Sequence, residues 1–215
     1  MYKFELEKYH GTISRHTCPA CHSRHCFVRY VGNDGNYSHE AIVSRINADL
    51  ANDLGNLAQR SLSMIAKNCG GAVPAKGELR EADHAMLAAA HALPGVARAD
   101  METFSLHLVL QHIWEIVADA NRYFAAEEPW KLTKTDPARR DTILFVTAEV
   151  LRIFGIVTQP FIPSAAARLL DLLAVPQAAR MLRDAQGDGG GLQPGTALPA
   201  PSGIFPRYIE PEAKA

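Results

Sequence analysis

Asn56 and Arg60 stand four residues apart in the run NLAQR, within a stretch whose apolar residues recur at helical spacing. Both side chains therefore fall on one helical face, beside the apolar stripe. A guanidinium offers a rigid fork of donors and an amide offers both donor and acceptor, a combination suited to reading the edges of nucleic acid bases. The same pair also fits a solvated helix face. A second feature is Glu127-Glu128-Pro129-Trp130, which puts an indole in a loop rather than in a helix stripe. An exposed loop aromatic can stack an unpaired base, worth about 1–3 kcal/mol, or it can plug the end of a bundle.

A third feature is HTCPACHSRHC, residues 16–26. The Cys18-Pro19-Ala20-Cys21 knuckle turns tightly enough to offer two thiolates to one zinc ion, and a tetrahedral structural site needs two further ligands. Cys26 supplies a third and His16, His22 or His25 the fourth, with His25 completing the candidate set of Cys18, Cys21, Cys26 and His25. A ribbon usually brings its second pair from a separate knuckle farther along, and none follows here. Three readings stay open: a ribbon without its metal, a compact zinc site, or thiols with a redox role. His84, His91, His107 and His112 have no Asp or Cys at ligand spacing, the pair His112 and Glu115 is not an HExxH motif, and all four read as packing or surface residues.

The elements that must position these groups are helices. Ile42, Ile46, Leu50, Leu54 and Leu57 recur every three or four residues and Ala58 and Ile65 continue the stripe, which predicts a long amphipathic helix with Ser38 as its N-cap and Gly70-Gly71 beyond its end. A second helix is expected over 80–93, stopped by Pro94-Gly95, and a third from Asp100 to just short of Pro129. A fourth begins at Asp136-Pro137, an N-cap and first-turn pair, and runs to Gln159-Pro160. A fifth opens at Pro163, and a short sixth covers 176–184 before the glycine-rich GDGGGLQPG. The fold expected is an all-α antiparallel bundle of about five helices, with a small irregular or β N-terminal extension. The expected divisions are 1–31 for the cysteine- and histidine-rich segment, 38–184 for the bundle and 185–215 for a linker and extended apolar tail.

Composition limits what this bundle does. With 22 Lys and Arg against 23 Asp and Glu, the formal charge of −1 excludes binding of nucleic acid through bulk positive charge, so recognition must rest on particular residues. No βαβ alternation, GxGxxG or GxxxxGK[ST] run is present to house a nucleotide. No apolar run is long enough to cross a bilayer and no signal core follows the first residues, so a cytoplasmic location is expected and a membrane partner is not. Four cysteines, three of them clustered at 18, 21 and 26, do not make a secreted disulfide framework.

Residues 38–161 resemble the helical anticodon-binding domain of methionyl-tRNA synthetases. The resemblance is carried by GNDGNYSHEAIVSRINADLANDLGNLAQR, by ADANRYFAAEEPWKL at 118–132, by TQPFIP at 158–163 and by the closing LPAPSGIFPRYI. It implies a class I synthetase anticodon-binding bundle with no cofactor of its own. In that family the Asn and Arg of the NLAxR pattern contact the first anticodon base and the Trp of the PW pair stacks on the anticodon, which places Asn56, Arg60 and Trp130 in those roles. Asn121, Arg122 and Tyr123 would buttress Trp130. The implied partner is the anticodon stem-loop of a methionine tRNA. No HIGH-like or KMSKS-like motif occurs, so methionine activation is expected from a catalytic domain missing here, or supplied in trans by a separate chain. A chimeric fragment that folds and binds nothing is the alternative. The opening KFELEKYHGTISRHTCPACHSRHCFVRY is similar to the first half of zinc ribbons of mobile-element and primase-like proteins. In the family the IFPRYI end folds toward the catalytic half, so Ile204, Phe205 and Ile209 are expected to be exposed here.

Overall fold

The computed structural model describes residues 38–186 and 191–209. The candidate ligands Cys18, Cys21, Cys26 and His25, and the expected N-terminal extension, lie outside the described residues. Among the described residues seven α-helices run in chain order: α1 (His39–Arg45), α2 (Asn56–Asn68), α3 (Glu81–Glu102), α4 (Leu106–Glu127), α5 (Leu132–Thr135), α6 (Pro137–Thr158) and α7 (Pro163–Leu172). Among the described residues there is no strand, only one isolated antiparallel bridge between Ala72 and Ala197.

The local signals at several ends act as expected. The Ser38 side chain accepts a hydrogen bond from the Ala41 N–H at 3.2 Å. Asp136 accepts from the Arg139 N–H at 3.0 Å, with Pro137 in the first turn. Such caps satisfy backbone donors that have no partner within the helix. Gly70 and Gly71 take φ +62° and +70°, the left-handed backbone that turns the chain away after α2.

The long first helix is continuous but not uniform. Between α1 and α2 the chain winds as a π-helix, Ile46–Gly55, before returning to α geometry at Asn56. The expected break at Pro94-Gly95 does not occur: α3 continues to Glu102 with Pro94 buried inside it. Proline removes one ladder bond, but Leu93, Pro94 and Ala97 are buried as α3 packs against α4 and α6, and that packing outweighs the lost bond. The turn between α3 and α4 instead comes at 103–105, where Phe104 adopts φ +55°. The expected sixth helix is two 3-10 turns, Gln177–Ala179 and Leu182–Ala185.

Helix α6 is the axis of the molecule. Residues 142–158 are buried without interruption, because α2, α3, α4, α5, α7 and the 182–185 turn surround it. A helix covered on all sides needs apolar residues all round, and its polar groups need partners. Thr147 and Thr158 donate back to the carbonyls of Ile143 and Phe154. Glu149 accepts from Arg152 Nε at 3.0 Å and from the Leu192 N–H at 2.9 Å, while Arg152 Nη1 donates to the Asp184 carbonyl at 2.7 Å. This buried pair fastens the chain after α7 to the central helix.

The tail departs from expectation. Ile204 is 3% exposed and Phe205 packs on the core, its Cβ 3.4 Å from where a Cβ on Gly55 would stand. The Asn47 side chain clamps the Tyr208 backbone, accepting from its N–H at 2.8 Å and donating to its carbonyl at 3.2 Å. The tail therefore covers its own apolar residues on the first helix. Only Ile209, 83% exposed, matches the expected exposure.

Candidate nucleic-acid interface

Helix α2 turns Leu57, Ala58, Ser61, Leu62 and Ile65 into the core, which leaves Asn56 and Arg60 on its exposed side one turn apart. Against them comes the end of α4. Phe124, fully buried on the last turns of α4, packs on Trp130 with ring centroids 6.0 Å apart. The Arg60 guanidinium carbon lies 5.1 Å from the Phe124 centroid and 5.4 Å from the Trp130 centroid. A cation within about 6 Å of an aromatic face is attracted by the ring quadrupole. Residues 70 positions apart in sequence thus form one cluster, a flat cationic group beside an indole that is 42% exposed.

Trp130 is aimed by a turn with a left-handed residue. Helix α4 ends at Glu127, and Glu128 takes φ +43°, ψ +53°. Lys131 N–H then bonds the Glu128 carbonyl at 2.9 Å, Leu132 N–H the Pro129 carbonyl at 3.2 Å, and Thr133 Oγ1 the Trp130 carbonyl at 3.2 Å. The short helix α5, which carries no periodic signal, follows at once.

Behind the turn sits a buried polar network. Asp83 on α3 is fully buried and accepts from Arg139 Nη1, from Arg139 Nη2 at 2.9 Å, from the Tyr123 hydroxyl at 2.5 Å and from the Arg80 N–H at 2.8 Å. Burial alone would raise the Asp83 carboxyl, but the hydrogen bonds from Arg139, Tyr123 and Arg80 outweigh it and hold the group below its ordinary value. Arg139 Nη2 also donates to Glu127 at 2.7 Å.

The residues expected to buttress Trp130 divide. Tyr123 belongs to this network. Asn121 donates to the Val117 carbonyl at 3.0 Å and reaches the Asp53 carbonyl in the π-helical segment at 3.4 Å, joining α4 to the first helix. Arg122 instead pairs with Asp119 on the surface. Sequence reasoning missed two participants. Phe124 carries no signal that sets it apart from other apolar helix residues, and Arg207 of the tail donates to Asn52 at 2.6 Å, one helical turn before Asn56. No local signal joins Arg207 to Asn52, 155 residues away.

Among the described residues no group of three His, Cys, Asp or Glu side chains is arranged to hold a metal ion. Cys69 donates to Asp141 Oδ1 at 3.3 Å, and burial together with that carboxylate pushes its thiol up to about 12, so it stays protonated. His112 Nδ1 lies 2.9 Å from Asp100 Oδ2. Among the described residues no helix is long and apolar enough to cross a membrane.

Residues 73–215 match the family model of the anticodon binding domain of methionyl tRNA ligase. The chain belongs to that family. Trp130 lies within the matched range, and Asn56 and Arg60 precede it. Residues 2–48 match a zinc beta-ribbon finger model; of these, 39–48 are helical, in α1 and the start of the π-helical segment. The chain is 61% identical over 179 residues to a methionine–tRNA ligase of Brucella suis, covering 83% of this chain and 34% of that protein. It is 57% identical over 189 residues to the corresponding ligase of Mesorhizobium japonicum, covering 87% and 36%. The apo crystal structure of Mycobacterium tuberculosis methionyl-tRNA synthetase superposes with a TM-score of 0.81 at 49% identity, over 86% of this chain and 38% of that one. The chain thus spans about a third of the length of the curated relatives it matches.

Proposed function

We propose that this chain binds the anticodon stem-loop of a methionine tRNA. Asn56 and Arg60 read the first anticodon base and Trp130 stacks on a base splayed out of the loop, the usual mode of sequence reading in single-stranded RNA. The observation that carries this is the meeting of Arg60 and Trp130 beside the exposed Asn56. A hydrogen-bonding fork and a stacking plane side by side are what a single unpaired base needs. An intact cluster of this kind argues against an inert remnant.

Methionine activation belongs, on this reading, to a catalytic part outside this sequence, joined to it or working in trans, and the setting is the cytoplasm. At the N-terminus, Cys18, Cys21 and Cys26 with His25 are proposed to hold a structural zinc ion, which the ribbon match to residues 2–48 supports. With balanced charge, affinity for the RNA is modest. Titration with a methionine-tRNA anticodon stem-loop is expected to quench Trp130 fluorescence, with the response lost in Trp130→Phe. An emission spectrum unchanged at saturating RNA would overturn the proposal.

A further inference from the structure

The charge count around Arg139 does not balance. This guanidinium is 5% exposed on the first turn of α6, and the fully buried Asp83 neutralises it through two hydrogen bonds, aided by Tyr123 and the Arg80 N–H. A second carboxylate, Glu127, nevertheless comes onto the same cation at 2.7 Å. Asp83 alone would satisfy the charge, and Glu127, its side chain 21% exposed at the end of α4, sits close enough to the surface to reach water. Extra buried charge is weak evidence of stabilisation, since apolar replacements of such groups are often neutral or better. A geometric role explains the arrangement.

That geometry lies in the next three residues. Glu127 is the last helical residue, Glu128 is left-handed, and Trp130 follows Pro129. A non-glycine residue in left-handed backbone is strained and persists only where its surroundings fix it. The exposed Lys131–Glu128 ion pair contributes little to fixing it. The Glu127–Arg139 bond, anchored to α6 and through Asp83 to α3, is the rigid hold on the residue before the turn.

We propose that Glu127, held by Arg139, is a positioning residue for Trp130: it fixes the left-handed turn that sets the indole beside Arg60. Glu127 touches no base itself. Its effect on RNA rests on the anticodon reading above, whereas its effect on Trp130 does not. Incorporation of 5-fluorotryptophan gives two 19F resonances, one each from Trp114 and Trp130, assigned with Trp130→Phe. In Glu127→Ala the Trp130 resonance is expected to shift and broaden while that of Trp114 stays in place, with partial restoration in Glu127→Gln, which keeps one acceptor for Arg139. Affinity for the methionine-tRNA anticodon stem-loop is expected to fall about tenfold with the thermal midpoint nearly unchanged. A Trp130 resonance identical to wild type in folded Glu127→Ala overturns the proposal. If that variant does not fold, an unmoved resonance in the isosteric Glu127→Gln does the same. A moved resonance with unchanged RNA affinity upholds the positioning role and removes the anticodon reading.

Discussion

If Arg60 and Trp130 act on one base as a unit, their contributions to RNA affinity must be coupled. Arg60→Ala and Trp130→Ala are each expected to weaken binding by about 1–3 kcal/mol, the range for bidentate base readout and for stacking. The guanidinium lies 5.4 Å from the Trp130 centroid, inside the range of a cation–π contact, and the indole is 42% exposed. Partial solvation puts that contact near the low end, about 0.5–1 kcal/mol. Removing Trp130 leaves Arg60 oriented only by the Phe124 ring at 5.1 Å, so its later removal costs less than in the intact protein. The double variant should fall short of the product of the single losses by about two- to fivefold in Kd. Fluorescence anisotropy of a labelled stem-loop against wild type, both single variants and the double, at one salt concentration, measures this. Strict additivity, within about 0.3 kcal/mol, would mean that Arg60 and Trp130 make two independent contacts and do not act on one base.

Three further outcomes follow from the packing. Asp83→Ala leaves the Arg139 guanidinium and the Tyr123 hydroxyl buried without their main acceptor, at a cost of about 3–5 kcal/mol; a fall of the thermal midpoint by only a degree or two would contradict it. Burial alone would raise the Glu149 carboxyl, but His91, Arg152 and the Leu192 N–H hold it down to about 2, below its ordinary 4.5. Its contribution is therefore fully present above pH 4.5 and lost as pH falls toward 2, so denaturant midpoints should drop in that window and drop less in Glu149→Gln. A Cβ on Gly155 would stand 2.7 Å from Leu170 Cδ2, itself fully buried where α6 meets α7. Gly155→Ala should cost about 1–3 kcal/mol by overpacking, and a stabilised variant by calorimetry would show that Leu170 has room to move.

Features set by a few neighbouring residues were legible. Ser38, Asp136-Pro137 and Gly70-Gly71 act through their own backbone and do what their types imply. Pro94 carries an equally strong local signal and misleads, because burial of Leu93, Pro94 and Ala97 in the middle of α3 outweighs one missing bond. The π-helical winding of Ile46–Gly55 leaves no mark on a pattern read at helical spacing, nor does the cover of α6 on every side. The apolar tail gave no hint of its seat. Its burial depends on Gly55, Asn47 and Arg168 far back in the chain. In the candidate interface, Asn56, Arg60 and Trp130 could each be named from type and setting. Their meeting rests on a 70-residue contact that only the family resemblance anticipated, and the Glu127–Arg139–Asp83 support beneath it joins three helices and was not visible at all.

Reading of an anticodon is the role proposed for Asn56, Arg60 and Trp130. Its most direct test is the affinity of the purified chain for a methionine-tRNA anticodon stem-loop beside one altered only at the first anticodon base, at fixed salt because phosphate contacts make affinity salt-dependent. Binding to the first is expected to be stronger by at least about fivefold, the low end of one base contact, with the preference abolished in Arg60→Ala. Equal binding to both would contradict it.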